Sequence, residues 1–200
     1  MSNWSSGLIN TLKDPSKHII ASNLAVVIKD LYPKAKHHYL VLPLADIPTI
    51  FQLTADHLSL MEELYLLALN IIEVKQEDLN NFQIGFHNPP SMQRLHMHVI
   101  SRDFVSGCLK TKNIGIVIIL DFFCPMKVDK FHLIVNMLGC CLYAHFFSEV
   151  CQQLKINGKI KPLTKVELQE LTKEDLQCNQ CSFKPRNMPL LKEHLNSHLK

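Results

Sequence analysis

Two hundred residues, 47% apolar and 20% charged, suffice for one globular domain of ordinary size plus a small appendage. The net charge of +3 is uneven: residues 1–150 carry 12 Lys+Arg against 13 Asp+Glu, and residues 151–200 carry 9 against 5. This falls short of a dedicated nucleic-acid binder and leaves two readings of the last quarter, a polyanion-facing segment or a solvated tail.

Met1–Gly7 lacks the basic-then-apolar pattern of a secretory leader. Seven cysteines with one CxxC, Cys178 and Cys181, fit a reduced intracellular compartment better than a disulfide framework. Leu24–Asp30 is rich in β-branched residues and predicts a strand. After the turn Leu31–Lys36, His37–Pro43 predicts its antiparallel hairpin partner. Thr54 is placed to cap a helix running to about Lys75, because Leu58, Met61, Tyr65, Ala68 and Ile72 recur at spacings of three and four. Phe82–His87 reads as a strand, and Asn88–Ser91 as a turn, since neither proline can donate to a ladder.

The next strand, Arg94–Ser101, carries the clearest chemistry of the first half. Alternation sends Leu95, Met97 and Val99 into a core and leaves Arg94, His96 and His98 on the other face, with the imidazoles roughly 6–7 Å apart. Such a pair suits a phosphate-directed nucleophile, two metal ligands, or plain surface histidines. If the strand before it is adjacent, His87, Ser91, His96 and His98 converge on one pocket able to hold a phosphoryl group and protonate a leaving group. Asp30 and His38 lie on the hairpin; Asp30 is suited to a ribose diol, and both also read as an ordinary turn residue and surface histidine.

From Asn113 to about His145 the chain turns apolar. Its longest run, Phe131–Phe147, is at the short edge of a bilayer span and is interrupted by His132, Asn136 and His145, so no membrane association is expected. Ser148–Leu154 reads as part of a short helix, Ile156–Lys159 as a turn, and Lys161–Asp175 as a charged linker. Cys178-x2-Cys181, twelve residues, then His194-x3-His198 has the spacing of a ββα finger holding a structural Zn²⁺, with Phe183 and Leu191 as its small core. Lys184, Arg186 and Lys192 favour phosphate contact.

Val27–Pro43, Gly85–Met92 and Leu95–Phe104 together resemble the histidine triad superfamily, and within it the branch whose triad domain is followed by one zinc finger. The likeness covers roughly residues 4–112 and 146–200. It implies an α+β fold, an antiparallel sheet with flanking helices over 1–112, completed within 146–175, with 113–145 as an atypical insertion and 176–200 as the finger. The implied activity is a nuclear DNA 5′-adenylate hydrolase that removes AMP from abortive ligation intermediates at nicks or double-stranded ends, alongside DNA repair proteins. His96 is then the nucleophile, His98, His38 and Ser91 contact the phosphate, His87 assists the leaving group, and Asp30 binds the ribose. Trp4, Lys34, Lys36 and Lys110 fall at DNA-facing positions.

Two departures stand out. Arg94 replaces the first of three alternating histidines and is expected to add a positive charge beside the pocket, and 113–145 reads as a translated intron or aberrant gene model. A small-molecule triad nucleotide hydrolase and a DNA-binding protein with a disabled pocket are the alternatives.

Overall fold

The computed structural model describes residues 4–87, 90, 92–109, 149–162, 164, 166, 169 and 175–199. In chain order these form α1 (Trp4–Leu12), β1 (His18–Ala21), β2 (Ala25–Lys29), β3 (His38–Pro43), α2 (Leu58–Val74), β4 (Phe82–Gly85), β5 (Met97–Ser101), α3 (Glu149–Asn157) and α4 (Met188–Ser197). The strands make one sheet in the order β1-β2-β3-β5-β4. All four pairings are antiparallel.

The apolar runs that predicted β2 and β3 become central strands with nearly every residue buried, which is why they read as continuous hydrophobic stretches. On one face Val27, Tyr39, Val41, Met97 and Val99 pack under α2, through Met61, Leu64, Ala68 and Ile71, and under α3, through Val150, Cys151 and Leu154. On the other face Val26, Ile28, Leu40 and Leu42 meet Leu8 of α1. Beside that patch Ile100, Phe104, Leu109 and Ala35 share an apolar cluster with Leu176, Cys178, Met188, Leu191 and Leu195. The finger helix α4 is therefore packed on the triad sheet itself.

Thr54 does not cap α2 directly. It opens a 3-10 turn over Ala55–His57, where its N–H donates to His57 Nδ1 at 3.0 Å, and α2 starts at Leu58. The sequence does not predict β1: this four-residue edge strand alternates only between half-buried and exposed positions, and its adjacent Ile19 and Ile20 give no apolar–polar alternation. The turn expected over Ile156–Lys159 is shorter than predicted: α3 continues through Asn157 and the chain reverses at Gly158, whose φ of +68° suits a residue without Cβ. The expected insertion at 113–145 and most of the linker before Asp175 lie outside the described residues. Among the described residues no helix is long and apolar enough to cross a membrane.

Candidate active site and metal centre

The antiparallel register of β3 against β5 sets Leu40 opposite His98 and His38 opposite Ile100. His38 and His98 are thus diagonal neighbours on one face of the sheet, the face away from α2. His38 Nε2 lies 2.9 Å from His98 Nδ1 and 3.3 Å from Asp30 Oδ2. His96 and His98 have ring centroids 4.8 Å apart in an edge-on arrangement, and the His87 ring is 6.4 Å from that of His98. Four of the predicted histidines and Asp30 are brought together.

The hydrogen bonds fix where the protons sit. The Lys34 N–H donates to His38 Nδ1 at 3.1 Å, so that nitrogen supplies a lone pair. Burial is the main influence on His38 and pushes its pKa down to about 4, against the pull of Asp30, so the ring is neutral near pH 7. Its one proton is then on Nε2 and is donated to His98 Nδ1. His98, held well below the usual histidine range by burial and then by the neighbouring histidines, is neutral with its proton on Nε2. In His96 the order is reversed. Its Nδ1–H donates to the Arg94 carbonyl at 2.6 Å, and burial lowers its pKa while that carbonyl raises it. His96 Nε2 is left with a lone pair, buried and without a partner among the described residues. A lone pair on His96 Nε2 beside an N–H on His98 Nε2 can attack a phosphorus and hold one of its oxygens.

Asp30, His38 and His98 also have the proximity of metal ligands. The tautomer argues otherwise: Lys34 occupies the lone pair of His38, so its Nε2 is a proton donor and not a ligand.

Asp30 is held by its own turn, with Oδ1 accepting the Tyr32 N–H at 2.7 Å and its N–H donating to the His38 carbonyl at 3.0 Å. Lys34 sends Nζ to the Tyr32 carbonyl at 2.7 Å. Lys36 is exposed and lies 3.8 Å from Glu77 Oε1. Trp4 heads α1, while Ser91 and Lys110 lie outside the described residues. Beside His96 is a shallow depression lined also by Pro48, Ile50, Phe86, His87 and Met92.

Arg94 does not offer a free positive charge. Its guanidinium is turned to the end of β3 and the loop after it, where it donates to Pro43 O at 2.9 Å and Leu44 O at 3.1 Å and pairs with Asp46. The Lys34 amide and the Arg94 carbonyl were missed in the sequence because backbone groups carry no residue signature.

At the C-terminal end the ligand atoms of Cys178, Cys181, His194 and His198 all lie within 4.8 Å of one another. Cys181 Sγ is 3.1 Å from His194 Nε2, Cys178 Sγ is 3.5 Å from His198 Nε2, and the two Nε2 atoms are 3.0 Å apart. The donor types and their proximity suit zinc, whose tetrahedron with bonds of about 2.0 Å to nitrogen and about 2.3 Å to sulfur has edges of roughly 3.3–3.8 Å, so the 3.0 and 3.1 Å contacts would open slightly around an ion. The cysteines sit on a turn closed by the Cys178 N–H to Phe183 carbonyl bond, 2.9 Å, with no strand assigned there among the described residues. Leu191 is buried as expected. Phe183 is not: it is 42% exposed and stacks on the His194 ring at 4.2 Å, which orients that ligand instead of filling the core.

Residues 3–115 match the family described as "Scavenger mRNA decapping enzyme C-term binding", and residues 144–200 match "C2HE / C2H2 / C2HC zinc-binding finger". Over 196 residues the chain is 47% identical to the aprataxin-like protein of Drosophila melanogaster, covering 98% of this chain and 26% of that protein. It is 32% identical to aprataxin of Gallus gallus over 199 residues, 99% of this chain and 56% of that protein. The chain thus spans about a quarter and about half of these relatives. Its fold matches that of the aprataxin ortholog Hnt3 solved in complex with DNA, with a TM-score of 0.69, 22% identity and coverage of 98% and 94% of the two chains. Hnt3 from Schizosaccharomyces pombe gives a TM-score of 0.67 at 22% identity, covering 98% and 93%.

Proposed function

Because the chain belongs to the histidine triad superfamily, with aprataxins among its homologues, we propose that it is a DNA 5′-adenylate hydrolase. The observation that carries this reading is the buried, unpartnered lone pair on His96 Nε2 beside the proton on His98 Nε2. His96 Nε2 attacks the α-phosphorus of the adenylate, a nitrogen–phosphorus bond forms, and the bond to the bridging oxygen breaks. The DNA 5′-phosphate leaves, with His87 placed to steady or protonate it. Water then attacks the phosphorus of the His96–AMP intermediate, AMP departs and His96 recovers its lone pair. His98 Nε2–H holds a non-bridging oxygen through both steps, and His38 with Asp30 keeps His98 in the donating tautomer.

A DNA end as substrate is supported by the fused finger and by the Hnt3 structure solved with DNA. Zinc held by Cys178, Cys181, His194 and His198 supplies structural closure of the finger. We place the reaction in the nucleus, in strand-break repair, with repair proteins as neighbours. The test is release of AMP from a 5′-adenylated nicked duplex, beside release from a small AMP amidate. His96→Ala should lose turnover by at least about a thousandfold. Turnover surviving in that variant refutes the mechanism, and equal rates on both substrates refute the DNA preference.

A further inference from the structure

We infer that Arg94 is a positioning residue for the nucleophile, its guanidinium anchoring the peptide unit whose carbonyl fixes the proton of His96. The inference rests on the reading of His96 as the nucleophile. The Arg94 carbonyl and the Leu95 N–H belong to one planar peptide unit. The carbonyl accepts from His96 Nδ1 at 2.6 Å, and the N–H donates to Ile47 O at 2.8 Å. That unit is therefore a rigid bridge between the loop after β3 and the reactive imidazole. The Arg94 side chain grips the same loop at Leu44 O and Asp46, and the last residue of β3 at Pro43 O. Both the peptide and the side chain of one residue are thus tied to one support.

Stability alone is a poor account of this arrangement. The Arg94 side chain is 5% exposed, its Nε is buried with no partner among the described residues, and its carboxylate partner Asp46 is 90% exposed. A buried guanidinium left partly unpaired is costly, and an exposed carboxylate returns little. What the planar fork does well is hold two carbonyls from one nitrogen and a carboxylate from the other in a fixed geometry, where a lysine would offer three donors on a single flexible ammonium and a histidine only two. Regular pairing of β5 begins only at Met97, so ladder bonds do not hold residues 94–96 in place. The loop anchor takes over that task where the nucleophile sits.

The test uses the full chain with Arg94→Met, Arg94→Lys and the surface variant Asp46→Ala. Two quantities are read: the single-turnover rate and affinity on a 5′-adenylated nicked duplex, and the His96 tautomer from long-range ¹H–¹⁵N spectra. Arg94→Met should slow the first turnover by about tenfold or more, with affinity changed less than about twofold. Its His96 should shift from the Nδ1–H form to a mixture, and Arg94→Lys should recover part of both effects. Asp46→Ala should move both readings in the same direction by a smaller amount. A folded Arg94→Met that keeps the wild-type rate and tautomer overturns the inference, as does a loss confined to affinity. If Arg94→Met does not fold, an unchanged tautomer in both other variants overturns it. Absence of AMP release by the wild type would instead refute the assigned reaction, and the tautomer comparison would still decide the role of Arg94.

Discussion

Each of the three imidazoles of His38, His96 and His98 has its proton placed by a neighbouring group. Lys34 sets His38, His38 sets His98, and the Arg94 carbonyl sets His96. The histidines and Asp30 were legible as candidates because spacing and residue type reveal them. Their division into one lone-pair donor and one proton donor was not, because it depends on two backbone groups. The lowered pKa values have a measurable consequence for stability. Between about pH 6.5 and pH 4 the unfolded chain protonates these histidines while the folded chain keeps His38 neutral, so the unfolded state binds more protons and stability falls as pH drops. Urea titrations across this range should show the loss, and His38→Gln should flatten the slope. An equal slope in that variant would remove His38 as its source.

At the level of elements, β2 was readable from its β-branched residues, β3 from its apolar run after a short turn, and β5 from the alternation of apolar residues with His96 and His98. α2 was readable from its spacing, although the 3-10 turn that precedes it moved its start to Leu58. What spacing could not show is where α4 goes. Leu191 and Leu195 share a cluster with Ile100 of β5 and Phe104, so the finger leans on the strand that carries His98. Leu191→Ala should destabilise the chain by about 2–5 kcal/mol, the range for truncating a buried leucine. Calorimetry should show one transition that moves as a whole. A separate early transition, with the remainder unshifted, would show that finger and sheet melt independently. Stripping zinc with a chelator should lower the same transition, because Cys178 is at once a ligand candidate and a member of that cluster.

On the scale of the whole molecule, the stretch from Asn113 to His145 leaves and re-enters the chain between two anchored residues. Leu109 is fully buried in the cluster with α4, and Val150 is 2% exposed in the cluster under α2. Deleting residues 113–145 should preserve AMP release, because the histidine cluster is built entirely from residues outside that stretch. Loss of soluble protein on deletion would show that the segment belongs to the folded core. The residues after this joint clasp the sheet from both sides: Val150, Cys151, Leu154 and Ile160 on the α2 face, and Met188, Leu191 and Leu195 on the other. A polypeptide cut at the joint would consequently behave as a two-fragment assembly. Its halves, made separately, should reconstitute by complementation, much as a clamp closes around a plate.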